Sequence, residues 1–130
     1  MLELFSVLAL LLASADRPQK GVEITAENGR VVVPSGDSCF RAERLTYRPQ
    51  KAGKVEFEFR AEGSLIVVQV DGLRIQAAKM RYDPASGFLS CKGDAENKAR
   101  LSIMRKGEWQ LDKEGKTISY YVGGAVGVED

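Results

Sequence analysis

Apolar and polar residues alternate along most of the chain after residue 20, and helical periodicity is hard to find there. Residues 55–62 give the clearest case, because Val55, Phe57 and Phe59 alternate with charged side chains. This alternation is typical of an antiparallel strand that has one buried face and one solvated face. The pattern therefore predicts an all-β protein.

Turn signals separate the alternating segments roughly every 8–12 residues, which is the spacing of an all-β sandwich, roll or barrel. Asp71-Gly72 is a strong two-residue hairpin signal. No crossover helix is available, so a parallel βαβ architecture is excluded. We expect the Gly-rich tail, residues 123–130, to be frayed. About ten short strands are predicted, over residues 22–25, 31–33, 39–47, 55–62, 65–70, 73–82, 88–91, 101–104, 109–111 and 117–122.

One phrase of the sequence occurs twice, 35 residues apart. An internal repeat suggests stacked copies of one supersecondary unit, here a strand, a turn and a returning strand. The matching pairs are Phe40/Ile75, Ala42/Ala77, Leu45/Met80, Tyr47/Tyr82 and Pro49/Pro84.

The apolar phase jumps at the same place in both copies, near Glu43-Arg44 and near Ala78-Lys79. An extra residue of this kind is what a β-bulge supplies, and a bulge bends its strand. Two bent hairpins in register predict a twisted, trough-like antiparallel sheet. The alternative is a coincidence between two short segments.

Composition limits the functional classes. The 130 residues fit one domain, and 19 Lys and Arg balance 18 Asp and Glu without a basic run, so nucleic-acid binding is not expected. The absence of histidine removes His-based catalytic triads and His-containing zinc sites. Asp71, Asp83, Asp94 and Asp112 fall at turn positions and form no obvious acid pair. We expect no enzyme activity, no cofactor and no metal site.

Residues 1–15 resemble a secretory signal peptide, with an apolar stretch that ends in Ala13-Ser14-Ala15. Glu3 is atypical, and an apolar helix packed on the domain is the alternative. The expected mature domain is residues 16–130, exported to the periplasm. Export permits a disulfide, but alternation places Cys39 outward and Cys91 inward, so both a bridge and two free thiols stay open.

The segment 75–87, with Ala77, Met80, Tyr82 and Gly87, is followed by a strand and Gly93, and together they resemble the repeat of the OstA-like family. That family includes the periplasmic lipopolysaccharide-transport proteins LptA and LptC. The first copy is a looser version, and residues 22–33 are a candidate third copy. The resemblance covers roughly residues 20–122, although the chain is short for a complete bridge module. It implies a jelly-roll-like β roll that holds acyl chains inside and serves outer-membrane biogenesis.

The resemblance therefore implies a non-catalytic protein that binds or transports lipid or lipopolysaccharide, with other OstA-like proteins as partners through strand edges. A filled core between two sheets is the alternative role for the same apolar residues. A structural adaptor that binds another β protein by edge-strand augmentation is the alternative function. Five cations could bind anionic lipid head groups at the rim of this interior, with ordinary solvated side chains as the alternative. They are Arg41, Arg44, Lys79, Arg81 and Lys92. The candidate lipid-binding interior is Val55, Phe57, Phe59, Leu65, Val67, Ile75, Met80, Leu101, Ile103 and Ile118.

Overall fold

A computed structural model describes residues 21–49, 55–122 and 125–130, and within these ranges every regular element is a β-strand. The predicted all-β class is confirmed. No helix in this part of the chain is long and apolar enough to cross a bilayer. The strands are β1 (Val22–Glu27), β2 (Arg30–Ser35), β3 (Ser38–Ala42), β4 (Arg44–Tyr47), β5 (Phe57–Glu62), β6 (Leu65–Val70), β7 (Leu73–Ala77), β8 (Lys79–Asp83), β9 (Phe88–Lys92), β10 (Ala99–Arg105), β11 (Glu108–Gly115), β12 (Thr117–Tyr121) and β13 (Ala125–Glu129).

The strands form two sheets in which all pairs are antiparallel. Sheet one has the order β13-β12-β9-β8-β1-β2-β3, and sheet two has the order β11-β10-β7-β6-β5-β4. Strands that are neighbours in sequence are often neighbours in space, because short turns connect them. At the Asp71-Gly72 turn, φ is 49° and 79°. Both angles are left-handed, as a type I′ hairpin requires, so that turn prediction is confirmed.

Three strand pairs are single bent strands that leave one sheet and enter the other at one residue. The crossing residue is Glu43 between β3 and β4, Ala78 between β7 and β8, and Lys116 between β11 and β12. We call these three positions the corner seam. The two phase jumps in the sequence are therefore changes of sheet rather than bulges within one sheet.

Backbone hydrogen bonds extend the ladders of sheet one as far as the corner seam. The Ala78 N–H donates to the Lys92 carbonyl at 3.0 Å, and the Gly93 N–H donates to the Lys116 carbonyl at 2.9 Å. A Cβ on Gly93 would lie 2.3 Å from the Asn97 carbonyl oxygen, so glycine is needed for this close approach. The corner is thus a hydrogen-bonded part of the ladder.

The hydrophobic core lies between the two sheets. It contains no buried charged residue among those that the structure describes. Its members alternate along the strands with outward residues, as period-two patterning requires, and the outward residues include the apolar Val32 of β2 and Val67 of β6. The buried cluster is Ile24, Val31, Val33, Phe57, Phe59, Ile66, Val68, Val70, Ile75, Ala77, Met80, Tyr82, Leu89, Cys91, Ala99, Leu101, Ile118 and Tyr120.

Two sequence predictions about the ends of the repeat region were wrong. Residues 125–129, expected to be frayed, form β13 and pair with β12 from Thr117↔Glu129 to Tyr121↔Ala125. Apolar Val126 and Val128 stand opposite Tyr120 and Ile118 there, which makes this strand favourable despite its glycines. Residues 22–33 do not form a third bent copy, because β1 and β2 make a hairpin within sheet one.

The two cysteines are free, with Cys39 exposed and Cys91 buried. The outward and inward orientations predicted from alternation are confirmed, and of the two alternatives left open the structure has free thiols rather than a bridge. Residues 1–15, the expected signal peptide, lie outside the described residues.

Candidate functional site

The ten residues expected to line a lipid-binding interior do not share one environment. Val55 lies at the margin of the core, and Ile103 is half-buried at the far end of β10. Leu65 and Val67 lie outside the core cluster, on the outer face of sheet two. Six residues pack inside the cluster at 2% exposure or less, and these are Phe57, Phe59, Ile75, Met80, Leu101 and Ile118.

The phase of β6 was read incorrectly because this strand is apolar on both faces. Leu65 pairs directly with Glu62 across the Gly63-Ser64 turn, and paired residues in an antiparallel ladder point to the same face. Glu62 is exposed, so Leu65 points outward and Ile66 points inward. The charged residue before the turn is the signal that would have fixed the phase.

Five aromatic rings fill one region of the interior and connect the two sheets. Tyr47 from sheet two contacts Tyr82 from sheet one, with ring centroids 5.2 Å apart. Phe57 lies 4.8 Å from Tyr82 and 5.8 Å from Tyr120, between centroids. Phe59 completes the set at 6.1 Å from Tyr47. Tyr47 and Tyr82, the equivalent tyrosines of the twin segments, therefore meet each other in one cluster.

Each tyrosine of this aromatic cluster lies four residues after a seam residue: Tyr47 after Glu43, Tyr82 after Ala78 and Tyr120 after Lys116. The true third copy of the repeat is thus Gly115 to Tyr120. It preserves a small residue before the seam and an apolar residue, Ile118, two positions after it. The reduced pattern small-x-x-apolar-x-Tyr would have found this copy in the sequence.

The hydroxyls of Tyr82 and Tyr120 are buried and have no hydrogen-bond partner. Burial, followed by the charge of Asp83 and the neighbouring Tyr47, raises the pKa of Tyr82 to about 12. Burial, followed by the charge of Asp71, also raises the pKa of Tyr120. These phenols stay neutral at physiological pH and leave polar groups inside an otherwise apolar interior.

The candidate rim cations separate into two groups. Lys79, Arg81 and Lys92 line a groove of about 780 Å³ on the outer face of sheet one, away from the core. Lys79 pairs with Glu23 at 3.2 Å, and Arg81 donates to the Gly21 carbonyl at 3.2 Å.

The other two cations lie near the bent strand 38–47. Arg44 bonds to Glu58 at 3.1 Å, and Arg41 lies 3.5 Å from Glu27. The Arg44 and Arg60 guanidiniums beside Glu58 lower the pKa of that carboxyl. The five cations therefore do not form one rim around an opening to the interior.

The turn aspartates act as backbone acceptors where their bonds are described. Asp83 accepts from the Ala85 N–H at 3.0 Å, and Asp94 accepts from the Glu96 and Asn97 N–H groups at 2.9 and 2.8 Å. Turn stabilisation is the structural role of Asp83 and Asp94, whereas Asp112, also expected at a turn, lies within β11. Among the described residues, no group of three or more His, Cys, Asp or Glu side chains is arranged to hold a metal ion.

Within the described ranges, the bent strand 38–47 is the edge of both sheets, because β3 pairs with β2 and β4 pairs with β5. The two-residue turn Gly36-Asp37 makes Ser35 and Ser38 the hydrogen-bonded closing pair of the β2–β3 hairpin. Alternation along the ladder then directs the backbone groups of Cys39 and Arg41 toward the free side. Pro34, which lacks an N–H, stands opposite Cys39, where the β2–β3 ladder needs no donor.

The opposite edge of sheet two is less open to pairing. The β10–β11 register shifts between Leu101 and Ser102, so that Asp112 is an extra, bulged residue of β11. Bulges and charged residues are common devices that protect an edge strand. The bent strand 38–47 is therefore the better site for strand addition.

Comparisons with known proteins supply no assignment. No family model matches the chain. No curated protein and no solved structure matches it either.

Proposed function

We propose that this chain is a non-catalytic, OstA-like β roll that is exported to the periplasm and docks another β protein through the bent strand 38–47. The observation that carries this proposal is the position of that strand, which forms the edge of both sheets at once. A bare edge offers backbone donors and acceptors, and an added strand satisfies them. A second copy of the roll, or another OstA-like protein, would supply the partner strand.

The state of the interior favours docking over carrying. Six of the residues expected to line a lipid trough are at most 2% exposed and pack against one another. A filled core with a free edge is what an adaptor requires. Lipid between the sheets would have to displace the packed Tyr47–Tyr82 and Phe57–Tyr82 contacts.

Arg41→Pro tests the docking edge. Proline at this position removes an N–H that points to the free side and preserves the bonds to β2. We expect Arg41→Pro to abolish edge-to-edge complexes, measured by light scattering over a concentration series and by co-purification with periplasmic OstA-like proteins. Arg41→Ala is the matched control, because it removes the same guanidinium and its contact with Glu27 but keeps the N–H. Complexes that survive Arg41→Pro would refute the proposed edge.

Lipid or lipopolysaccharide binding is the second candidate function, and the two ends of the interior favour it. Phe40 pairs with the core residue Val33 and is 52% exposed at one end. Val128 pairs with the core residue Ile118 and is 38% exposed at the other end. The apolar interior thus reaches both ends of the roll. If two rolls stacked end to end, the apolar interior of one would continue into that of the next.

Native mass spectrometry of protein extracted from membranes tests this second function. We expect a bound glycolipid in the wild-type protein and weaker lipopolysaccharide binding in Phe40→Glu, because a carboxylate would stand at the apolar end. Gln69→Glu adds the same charge at an exposed residue of β6, in the middle of sheet two, and is the control. A delipidated wild-type protein that binds no lipopolysaccharide would exclude the carrier function and leave the docking function untouched.

Export is tested separately by the mass of the mature protein. We expect cleavage after Ala15, so that the periplasmic fraction contains a chain beginning at Asp16. An uncleaved cytoplasmic chain would contradict the periplasmic location.

A further inference from the structure

The β10–β11 hairpin projects beyond its neighbour in sheet two. β10 pairs with β7 from Arg100↔Gln76 to Ile103↔Leu73, whereas the pairs Met104↔Trp109 and Arg105↔Glu108 continue past the start of β7. The tip of this hairpin therefore has no strand of sheet two beside it on the β7 side.

Three apolar side chains, Met104, Trp109 and Leu111, share the outer face of this projecting hairpin, and we call them the tip patch. Met104 is 47% exposed and Leu111 is 57% exposed. Trp109 is half-buried, with the Arg74 guanidinium 5.9 Å from its ring centroid, and it borders a groove of about 350 Å³ with Leu111. Folding gives no reason for large apolar groups to cluster on an exposed face.

Two cations accompany the tip patch at the turn. Arg105 and Lys106 are both exposed, and in the described part of the chain neither forms an ion pair. Glu108 is the one acidic residue of the same turn region, so the tip has a net positive charge. Cations without a carboxylate partner attract an anionic surface.

We propose that the hairpin tip inserts the tip patch into the surface of a membrane that contains anionic lipid. A narrow two-stranded tip is a poor protein-docking surface, because specific protein interfaces bury upward of about 1,200 Å² in total. A bilayer accepts a small wedge, and affinity comes from buried apolar area together with attraction between basic residues and anionic head groups. Tryptophan is the side chain most suited to the boundary between head groups and acyl chains. This proposal does not depend on the docking or lipid-carrying functions.

Trp109 is the only tryptophan in the chain, so its fluorescence reports on the tip itself. The full chain is mixed with vesicles of phosphatidylcholine alone, or of phosphatidylcholine with phosphatidylglycerol. We expect a blue shift of the Trp109 emission with the anionic vesicles, quenching by lipids brominated on their acyl chains, and reversal by salt. The apolar leader in residues 1–15 cannot produce these signals by itself, because it contains no tryptophan.

Leu111→Asp is expected to weaken the partitioning seen by Trp109 emission at least tenfold, which corresponds to about 1.4 kcal/mol, because a carboxylate replaces an apolar group that enters the bilayer. Arg105→Glu with Lys106→Glu is expected to remove the preference for anionic vesicles. Tyr121→Asp is the control, because Tyr121 is similarly exposed, at 49%, but lies in β12 of sheet one. Far-ultraviolet circular dichroism verifies that each variant is folded.

An unshifted wild-type emission with anionic vesicles would overturn the proposal. An equal loss in Leu111→Asp and Tyr121→Asp would also overturn it, because the effect would then not be local to the tip. A blue shift that appears only with a protein partner, and not with vesicles, would assign the tip to protein docking instead.

Discussion

The least favourable buried groups at the residue scale are the hydroxyls of Tyr82 and Tyr120, which have no partner. A buried hydroxyl without a hydrogen bond loses its hydration and gains nothing in exchange. The rings themselves are well packed against Phe57, at 4.8 and 5.8 Å between centroids. A Tyr→Phe substitution therefore separates the stabilisation from ring packing from the cost of burying an unpaired hydroxyl.

Tyr82→Phe is expected to raise the free energy of unfolding by about 1–3 kcal/mol, because it removes the unpaired oxygen and keeps the ring. Urea denaturation measures the change. Tyr47→Phe is the control, since its hydroxyl is not among the buried unpaired atoms. A loss of stability in Tyr82→Phe would mean that its hydroxyl donates to a bound molecule.

Alkaline pH should destabilise the fold through the same residues. The pKa of Tyr82 is raised from 10.0 to about 12 in the folded protein. Unfolded chains therefore release the proton first, so the stabilisation is complete below pH 10 and is lost as pH rises toward about 12. The free energy of unfolding should fall across this window, and the fall should be smaller in Tyr82→Phe. An unchanged pH profile in that variant would contradict the assignment.

The two thiols should react very differently. Cys39 is exposed, whereas burial raises the pKa of the fully buried Cys91. Thiolate is the reactive form, so burial protects Cys91 both by blocking access of the reagent and by keeping the thiol protonated. A maleimide is expected to label one thiol in the native protein and two in denaturant, counted by intact mass. Two labelled thiols under native conditions would show that the interior opens.

At the element scale, alternation and turn chemistry predicted most of the strands, because most strands bury one face and many turns carry Gly or Asp. The twin segments were also correctly placed as bent strands. The change of sheet was mistaken for a bulge, because a change of sheet and a bulge both shift the apolar pattern by one residue, here at Glu43 and Ala78.

The inward and outward faces of β6 were assigned incorrectly because both faces are apolar. Strand β13 was not predicted because its glycines obscure the alternation of Val126 and Val128. Alternation alone could not decide whether the two cysteines form a disulfide.

Gly93→Ala is expected to destabilise the corner by about 2 kcal/mol or more, because its Cβ would overlap backbone atoms that cannot rotate away. These are the Asn97 carbonyl oxygen at 2.3 Å and the Ala99 nitrogen at 2.8 Å. Gly127→Ala is the matched control, with no heavy atom within 4 Å of its Cβ. Thermal unfolding followed by circular dichroism compares them, and equal midpoints would refute the packing argument.

At the scale of the whole molecule, the two ends of the sheets differ. Among the described strands, the bent strand 38–47 is the edge of both sheets at one end, whereas at the other end sheet one finishes in β13 and sheet two finishes in β11. The two ends of the molecule therefore offer different edge strands to a partner.

A chain that stops after residue 124 is expected to be less stable by about 2 kcal/mol or more and to self-associate. Ile118 and Tyr120 would lose their neighbours Val128 and Val126, and β12, which carries these core residues, would replace β13 as the edge strand of sheet one. Urea denaturation and light scattering measure the two effects. Removal of Asp130 alone is the control, and a shortened chain that stays monomeric would show that β13 does not protect the edge.

The corner seam has a mechanical consequence. Three strands cross between the sheets at this seam, whereas on the opposite side of the interior the described sheets meet through side chains such as Tyr47 and Tyr82. Separation of the two sheets on that opposite side would leave the ladder within each sheet intact. It would also expose the buried cluster between them, so an apolar guest would have to replace the contacts that Phe57, Tyr82 and their neighbours now make.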